Sequence, residues 1–312
     1  MTARLTRRPG GAARLRALLD SGQTIVAPGA FDPLSARLVE EAGFPAVYMT
    51  GFGTSAALIG RPDVGLLTMT EMAGNAGRIA ACVDIPVIAD ADTGYGNPLN
   101  VIRTVGAYEA AGVAGIHIED QVAPKKCGHL EGKLVIPAEE MAEKVRAAVE
   151  ARAQPEFVII ARTDARAVEG LERSLRRGRM YREAGADVLF IEALTSEAEA
   201  EEAVRALPGV PLLFNWAEGG KTPPISLDRL KELGYRIIIF PIGTLLAATG
   251  AMRRILQEIA RSGTPAAAMR ELPTFAEFVD FIGLPQVHEA ERRYAVRPAP
   301  GQGNGGVDGS DI

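Results

Sequence analysis

The chain has 312 residues, of which 47% are hydrophobic and 23% are charged, and its formal net charge is -5. This length suits either two average domains or one α/β barrel of about 250 residues with extensions. The acidic balance offers no basic surface for nucleic acid, and two cysteines are too few for a disulfide framework.

The N-terminal segment does not resemble a signal peptide. Residues 1–16 are rich in arginine but contain no apolar core of a signal peptide, and no apolar run reaches transmembrane length. We therefore expect a cytoplasmic protein without a membrane or nucleic-acid partner. Residues 1–10 and 297–312 are predicted to be disordered, the latter because it is rich in Pro and Gly.

From Thr24 onward, short apolar segments alternate with helical segments rich in Ala, Leu, Glu and Arg. Continuous apolar strands alternating with helices are typical of a parallel sheet covered by helices, and eight such units predict a closed (β/α)₈ TIM barrel. The predicted strands are Thr24–Ala27, Ala46–Met49, Pro86–Ala89, Gly115–Ile118, Phe157–Ala161, Val188–Ile191, Pro211–Phe214 and Ile237–Phe240. We thus expect one barrel domain, residues 11–296, with a helical extension at its C-terminal end.

Several helix ends are visible in the sequence. Asp32 followed by Pro33 predicts the start of a helix over Leu34–Ala42. Glycines that follow Ala or Leu at the ends of helical segments predict C-caps, and these are Gly43, Gly112, Gly185 and Gly234. The returns from helix to strand are therefore expected to be short.

Two further helical segments follow the last predicted strand. Thr244–Arg261 is amphipathic, and Ala266–Ala290 has an apolar face formed by Phe275, Phe278, Phe281 and Leu284. That face needs a partner, which is either the chain's own barrel or a neighbouring subunit.

Polar residues collect where the predicted strands end. A TIM barrel gathers these C-terminal strand ends on one rim and builds its active site there. The rim residues include Tyr48, Thr50, Gly51, Phe52, Asp90, Asp92, His117, Glu119, Asp120, Arg162, Thr163, Asp164, Glu192, Asn215 and Pro241. This coincidence is a stronger signal than any single motif.

The third strand delivers two carboxylates, Asp90 and Asp92, into a glycine-rich turn. Side chains alternate along a strand, so both carboxylates point the same way if the strand geometry continues. Carboxylates with water and substrate oxygens suit Mg²⁺, whereas the alternative is a pair that caps a turn or a helix.

Two loops are long enough to move, Gly53–Leu67 with Asp63 and Asp120–Ile136 with Cys127. Positive neighbours stabilise a thiolate, and glycines give a loop freedom to open and close. The residues that flank Cys127 are Lys125, Lys126, Gly128 and His129. The alternative is a bystander surface cysteine, and Cys82 is expected to be a small core residue.

Five strings of residues in these strands and loops are distinctive. They are Pro-Lys-Lys-Cys-Gly-His-Leu-Glu-Gly-Lys, Asp-Ala-Asp-Thr-Gly-Tyr-Gly, Ile-Glu-Asp-Gln, Ala-Arg-Thr-Asp-Ala-Arg and Glu-Gly-Gly-Lys-Thr-Pro. Through them, residues 24–290 resemble the isocitrate lyase and phosphoenolpyruvate mutase superfamily. The resemblance is to the branch of methylisocitrate lyase, 2,3-dimethylmalate lyase, oxaloacetate hydrolase and carboxyphosphoenolpyruvate phosphonomutase.

The resemblance implies a metal site, a substrate pocket and an assembly. It implies Mg²⁺, with Mn²⁺ as a substitute, held directly by Asp90 and largely through water by Asp92, Glu119 and Asp63. It implies a substrate pocket formed by Thr50, Gly51, Phe52, Gly128, Arg162, Glu192 and Asn215. It also implies a C-terminal helix exchanged between subunits and a homotetramer built as a dimer of dimers.

The lyases of this superfamily cleave a 2-hydroxy di- or tricarboxylate in a retro-aldol sense to a 2-oxo acid and a carboxylate. Cys127 is the candidate acid that protonates the resulting carbanion, with His129 and Lys126 orienting it. Tyr48 is the candidate base, with Arg162 lowering its pKa. The alternatives are a barrel-wall role for Tyr48 and an ion pair of Arg162 with Glu192 or Asp164.

Two other activities use the same set of residues. A phosphonomutase forms a P–C bond and needs no acid at the carbanion. The loop Asp120–Ile136 with Cys127, called the cysteine loop below, therefore favours the lyase. An oxaloacetate hydrolase is the third candidate. The bulk of Phe52, Phe214 and Trp216 predicts a smaller, more apolar pocket suited to a compact substrate such as a substituted malate.

Overall fold

The computed structural model describes residues 9–128 and 130–295. Within this part of the chain, eight parallel strands close into a barrel in chain order, with β8 paired to β1. The strands are β1 Ile25–Ala30, β2 Val47–Met49, β3 Val87–Asp90, β4 Gly115–Glu119, β5 Val158–Thr163, β6 Val188–Ile191, β7 Leu212–Asn215 and β8 Ile237–Phe240. The predicted TIM barrel is confirmed.

Helices connect the strands and cover the barrel. In chain order they are α1 Gly11–Asp20, α2 Pro33–Glu41, α3 Gly51–Ile59, α4 Met69–Cys82, α5 Pro98–Ala110, α6 Ala138–Ala151, α7 Ala165–Glu169, α8 Leu171–Glu183, α9 Glu197–Ala206, α10 Leu227–Leu233, α11 Gly243–Ser262, α12 Phe275–Phe281 and α13 Leu284–Tyr294. A short 3₁₀ turn, Met269–Glu271, precedes α12. The described part of the chain contains no helix long and apolar enough to span a membrane.

The predicted strands differ from the observed ones only at their ends. β6 and β8 have the predicted bounds, whereas β1 continues three residues further because Gly29 and Ala30 pair with β2. β5 continues to Thr163, which places Arg162 inside a strand instead of after it. Short apolar runs locate strands well, but pairing with neighbours decides where each one stops.

The helix ends follow the local chemistry that the sequence predicts. Asp32 caps α2 and accepts a hydrogen bond from the Ser35 amide at 2.7 Å. The four predicted C-cap glycines all have positive φ angles, between 81° and 105°. Part of the predicted Gly53–Leu67 loop is helical, since α3 extends to Ile59.

Two apolar layers hold the barrel together. One fills the barrel interior and includes Tyr48, Ile88, Ile160 and Phe190, all buried. The other lies between the strands and the helices. Burial of these side chains is the main contribution to stability, and it fixes the strand ends from which the site residues project.

The chain divides into two compact units, and the division falls within α11, after Gln257. The barrel belongs to the first unit. In the second unit, Phe275 and Leu284 are exposed. The predicted apolar face is therefore accessible to a partner. Helix exchange and the tetramer stay predictions, as does disorder of the ends, because residues 1–8 and 296–312 lie outside the described part.

Candidate active site

A cavity of about 170 Å³ lies at the C-terminal ends of the strands, where the sequence predicts the site. This is smaller than the roughly 300–1,000 Å³ of ligand pockets that hold drug-sized molecules, so it favours a compact ligand. It is lined by Tyr48, Thr50, Phe52, Asp63, Asp90, Lys125, Cys127, Gly128, Leu130, Arg162, Glu192, Asn215, Ala217, Glu218, Gly219, Gly220, Pro241 and Ile242. The structure therefore brings most of the predicted site residues together.

Asp90 ends β3, and the chain turns immediately after it. The Asp92 amide donates to Asp90 Oδ1 at 2.9 Å, and Asp92 has a left-handed φ of 46°. The expectation that strand geometry continues to Asp92 is thus wrong. Both carboxylates are nevertheless buried at the barrel rim, because the turn folds Asp92 back beside Asp90.

The ammonium group of Lys125 lies between two of the predicted metal-binding carboxylates. Its Nζ is 2.6 Å from Asp63 Oδ1 and 2.5 Å from Asp92 Oδ1, and the residue is only 4% exposed. Burial acts to lower the pKa of Lys125, but the surrounding carboxylates, with Asp92 first, raise it well above its usual value. Lys125 therefore carries a buried positive charge and links the cysteine loop to these carboxylates.

Buried carboxylates outnumber the cations beside them. Burial raises the pKa of Asp92 to about 7 although Lys125 lies against it. Burial likewise raises the pKa of Glu119, whose two carboxylate oxygens accept no hydrogen bond within the described residues. The Glu119 carboxylate is 3.3 Å from Arg162 Nη1. These carboxylates have fewer positive neighbours than they need to stay charged when buried, and an added hard cation would stabilise their charged form.

No three His, Cys, Asp or Glu side chains of the described residues converge as a set that could hold a metal ion. The arrangement that the family resemblance implies does not need such a set, because only Asp90 would bind the metal directly and the other carboxylates would act through water. Mg²⁺ keeps several of its water ligands in most protein sites. The residues therefore fit Mg²⁺ in their chemistry.

Arg162 forms ion pairs with three carboxylates. This matches the alternative role given above, an ion pair with Glu192 or Asp164. Its Nε is 2.9 Å from Asp164 Oδ2, and its Nη2 is 3.7 Å from Glu192 Oε2. Burial acts to lower the pKa of Arg162, but these carboxylates and Glu119 raise it well above its usual value. Arg162 also lines the cavity, so it presents a fixed positive charge there.

Tyr48 lines the cavity but does not have the lowered pKa that the sequence suggested. Burial, and next the charge of Asp90, raise its pKa well above 10.0, and the opposing effect of Arg162 is smaller. The expectation that Arg162 prepares a phenolate is therefore wrong. Tyr48 is a neutral phenol in the folded protein.

The Tyr48 hydroxyl lies 2.8 Å from Nε2 of His117, a fully buried ring at the centre of the barrel. Burial lowers the pKa of His117 to about 4, so the imidazole is neutral. Its Nδ1 has no hydrogen-bond partner in the described residues. A buried N–H without a partner costs more than an idle lone pair, so we assign the proton to Nε2. His117 then donates to Tyr48, and the phenol proton is left for the cavity.

Thr50, Gly51 and Phe52 form the first turn of α3, where the sequence predicts binding of a substrate carboxylate. Thr50 caps the helix by accepting from the Gly53 amide at 3.2 Å. A Cβ atom at Gly51 would lie 2.3 Å from Asp90 Oδ2, so only glycine lets the helix start against this carboxylate. Helix N-termini attract anions, which supports the predicted role.

The cysteine loop lies across the site. The Cys127 amide donates to the carbonyl of Asp63 at 3.1 Å, which joins the two predicted loops. The side chain of Gln121 bonds both the amide and the carbonyl of Lys126. Lys126 Nζ donates to the carbonyls of Glu131 and Gly132, so this lysine is outside the cavity lining.

Neither lysine beside Cys127 has its ammonium group committed to the thiol. Lys125 pairs with carboxylates, and Lys126 binds loop carbonyls on an exposed side. Cys127 is half-buried and lines the cavity, so the loop delivers it to the site. His129, the third predicted neighbour, lies outside the described residues.

The far wall of the site combines a polar pair with an apolar surface. Asn215 Nδ2 donates to Glu192 Oε2 at 3.1 Å, and both residues line the cavity as predicted. Phe214 instead packs against Tyr235, and Trp216 packs against Phe240, so the expected bulk of these two residues does not enter the cavity. Alternation along β7 explains this, since Asn215 points inward and its neighbours point outward.

Several site residues were missed from the sequence. The apolar lining comes partly from Leu130, Ala217 and Ile242, which follow the strands in loops whose path the sequence does not specify. His117 was named at the rim but given no role, although it precedes Glu119 by two residues and therefore shares its strand face. Lys125 was named only as a neighbour of Cys127, and its contact with the carboxylates had no signal because it depends on how the loop folds.

Known proteins resemble the chain over nearly its whole length. A family profile described as Phosphoenolpyruvate phosphomutase matches residues 15–260. The 2,3-dimethylmalate lyase of Eubacterium barkeri is 48% identical over 91% of this chain and 98% of its own length. The 2-methylisocitrate lyase of Aeropyrum pernix is 47% identical over 90% of this chain and 89% of its own.

A solved structure of oxaloacetate acetylhydrolase, in complex with the inhibitor 3,3-difluorooxalacetate, superposes with a TM-score of 0.87. It is 40% identical and covers 92% of this chain and 98% of its own. The chain belongs to the isocitrate lyase and phosphoenolpyruvate mutase superfamily. The predicted superfamily and enzyme class are thereby confirmed, and the relatives at 47–48% identity support a lyase.

Proposed function

We propose that the chain is a Mg²⁺-dependent carbon–carbon lyase that cleaves a 2-hydroxy di- or tricarboxylate to a 2-oxo acid and a carboxylate. The observation that carries this proposal is the position of the cysteine loop. It delivers Cys127 to a cavity that also contains buried carboxylates and the N-terminus of α3. The cavity therefore combines a proton donor, an anion-binding turn and a cation-binding cluster.

The metal would be held by Asp90 directly and by Asp92, Glu119 and Asp63 through water. Mg²⁺ in this position would polarise the hydroxyl and carboxylate oxygens of a 2-hydroxy acid and stabilise negative charge during C–C cleavage. The excess of buried carboxylate and the absence of hydrogen bonds to Glu119 within the described residues support this assignment.

The remaining steps belong to the chain's own side chains. The first turn of α3 and the guanidinium of Arg162 bind substrate carboxylates, and the neutral Tyr48 hydroxyl donates to a substrate oxygen. As the bond between C2 and C3 breaks, the 2-hydroxyl gives its proton to one of the carboxylates that line the cavity, and C2 becomes the carbonyl carbon of the 2-oxo acid. The electron pair of the broken bond stays on C3, the carbon beside the second carboxylate. Cys127 gives its proton to that carbon, and the closed loop excludes water from it.

The cavity favours a compact substrate. Its apolar lining, from Phe52, Leu130, Ala217, Pro241 and Ile242, suits methyl groups better than a third carboxylate. Its cations, Lys125 and Arg162, are already paired with protein carboxylates. We therefore propose a 2,3-dimethylmalate-type substrate ahead of a 2-methylisocitrate-type one.

The test is a turnover screen of purified protein with Mg²⁺ against 2,3-dimethylmalate, 2-methylisocitrate, isocitrate, oxaloacetate and phosphonopyruvate. Products are identified by mass spectrometry and phosphorus NMR. We expect pyruvate and propionate from 2,3-dimethylmalate, with a higher kcat/KM than for the tricarboxylates. Oxalate and acetate from oxaloacetate alone would identify a hydrolase, and a phosphorus signal that moves between ester and C–P regions would identify a mutase.

A further inference from the structure

The loop that carries Cys127 is fixed at its far end by a lysine outside the cavity lining. Lys133 is 6% exposed, and its Nζ donates to the carbonyl of Gly128 and to Asp164 Oδ1, the latter at 2.8 Å. A buried ammonium without partners is costly, and these two bonds offset that cost. They also tie the loop backbone next to Cys127 to the end of β5.

The carboxylate that holds Lys133 also holds Arg162. Asp164 Oδ1 is 3.2 Å from Arg162 Nη2, and Asp164 Oδ2 is 2.9 Å from Arg162 Nε. The Asp164 amide donates to Asp120 Oδ1 at 2.9 Å, which fixes this carboxylate in turn. One fixed anion thus sets both the loop lysine and the cavity arginine.

On the cavity side, Gly128 lies against Arg162 and Glu192. A Cβ atom at this position would lie 2.7 Å from Arg162 Nη2 and 2.7 Å from Glu192 side-chain carbons. The loop backbone therefore lies directly on the two charged residues of the cavity, while Lys133 holds its carbonyl from behind. The position of Gly128, and of Cys127 beside it, depends on contacts at both faces.

We propose that Lys133 is a positioning residue that, through Asp164, sets the closed position of Cys127 and Gly128 against Arg162. The loop has other attachments, which include the Lys125 ion pairs, the Gln121 side chain and the hydrogen bond from the Cys127 amide to the Asp63 carbonyl. None of these three involves the Gly128 carbonyl. This inference rests on the proposed function only for its kinetic consequence, because the loop position can be measured without turnover.

The decisive variant is Lys133→Met, with Lys133→Arg as the conservative variant and Lys231→Met as the control. Lys231 is an exposed lysine of α10 that pairs with Asp228, far in sequence from the loop. Amide hydrogen exchange of residues 122–134 is followed by mass spectrometry. Exchange in Lys133→Met should be about tenfold faster or more, a size typical for loss of a charged hydrogen bond, and unchanged in the control.

Turnover provides the second readout. Lys133→Met should lower kcat about tenfold or more and leave KM within about threefold, and Lys133→Arg should recover part of kcat. A folded Lys133→Met variant with wild-type exchange in residues 122–134 would overturn the proposal whatever the substrate is. If Lys133→Met does not fold, unchanged exchange and kcat in Lys133→Gln, whose shorter and neutral amide cannot form the ion pair with Asp164, would overturn it as well.

Discussion

The most consequential single residue in this account is Cys127, because it alone is assigned to the transfer of a proton to carbon. Its half-buried side chain lines the cavity, and its amide is fixed by Asp63. A serine has a similar shape but is a much weaker acid. A serine at position 127 should therefore fit the loop but should not transfer a proton to carbon.

We expect Cys127→Ser to keep the fold and Mg²⁺ binding and to lower kcat by about 100-fold or more, the range of a lost general acid. The matched control is Cys82→Ser, since Cys82 is half-buried on α4, outside the cavity lining, and donates to the carbonyls of Pro33 and Ile79. The measurements are steady-state turnover and Mg²⁺ titration by calorimetry. Near wild-type kcat in Cys127→Ser would remove the assigned role.

Charge placement at the residue scale also predicts a pH dependence of stability. Burial acts to raise the pKa of Asp164, but Arg162 and Lys133 outweigh it and hold the pKa below its ordinary 3.8. A lowered folded-state pKa stabilises the protein above the unfolded value, and this contribution disappears as the pH falls from 3.8 toward the folded value.

Asp164→Asn should therefore lower the free energy of unfolding by about 3 kcal/mol at pH 7, as expected when one partner of a buried ion pair is removed. The difference from the wild type should begin to shrink as the pH falls below about 3.8, where the carboxyl of the unfolded chain takes up a proton and the folded one is still charged. Urea unfolding at pH 7, 5 and 3.5 measures this. A difference that stays constant over this range would show that the ion pairs are not its source.

At the scale of elements, the sequence predicts the strands and caps because those depend on neighbouring residues. Asp32 and the four C-cap glycines act within one turn, so local chemistry determines them. The loops are different, since their contacts come from residues far apart in the chain. The sequence shows that Lys125 lies near Cys127, but it does not predict the ion pairs of Lys125 with Asp63 and Asp92. It also does not predict that the strand ends before Asp92.

The start of α3 allows a test with a matched glycine. Gly51→Ala should place a methyl group against Asp90 and lower kcat/KM by about tenfold or more, because the carboxylate or the helix must move. Gly74→Ala in the exposed face of α4 meets nothing within 4 Å and should stabilise the fold by up to about 1 kcal/mol.

Turnover and thermal unfolding of both variants are the measurements. Equal activity of the two variants would contradict the close approach of α3 to Asp90. Loss of stability in Gly74→Ala would show that α4 does not accept a side chain there. The pair separates a general effect of replacing glycine in a helix from an effect on the site.

At the scale of the whole molecule, the barrel explains why so many residues of the site could be named in advance. Eight strand ends converge on one rim, so a polar residue at a strand end is a site residue with few exceptions. The pKa shifts of these residues could not be predicted in the same way. Burial inside the barrel raises the pKa of Tyr48, whereas the expected effect of the Arg162 charge at the same rim gave the opposite direction.

The central claim is that this site cleaves a C–C bond with the help of Mg²⁺. The most direct measurement is pyruvate release from 2,3-dimethylmalate by protein stripped with EDTA, before and after Mg²⁺ is added back. The account predicts no turnover in the stripped protein and recovery with Mg²⁺. Full turnover without metal, or no 2-oxo acid from any of the tested 2-hydroxy acids in saturating Mg²⁺, would contradict it.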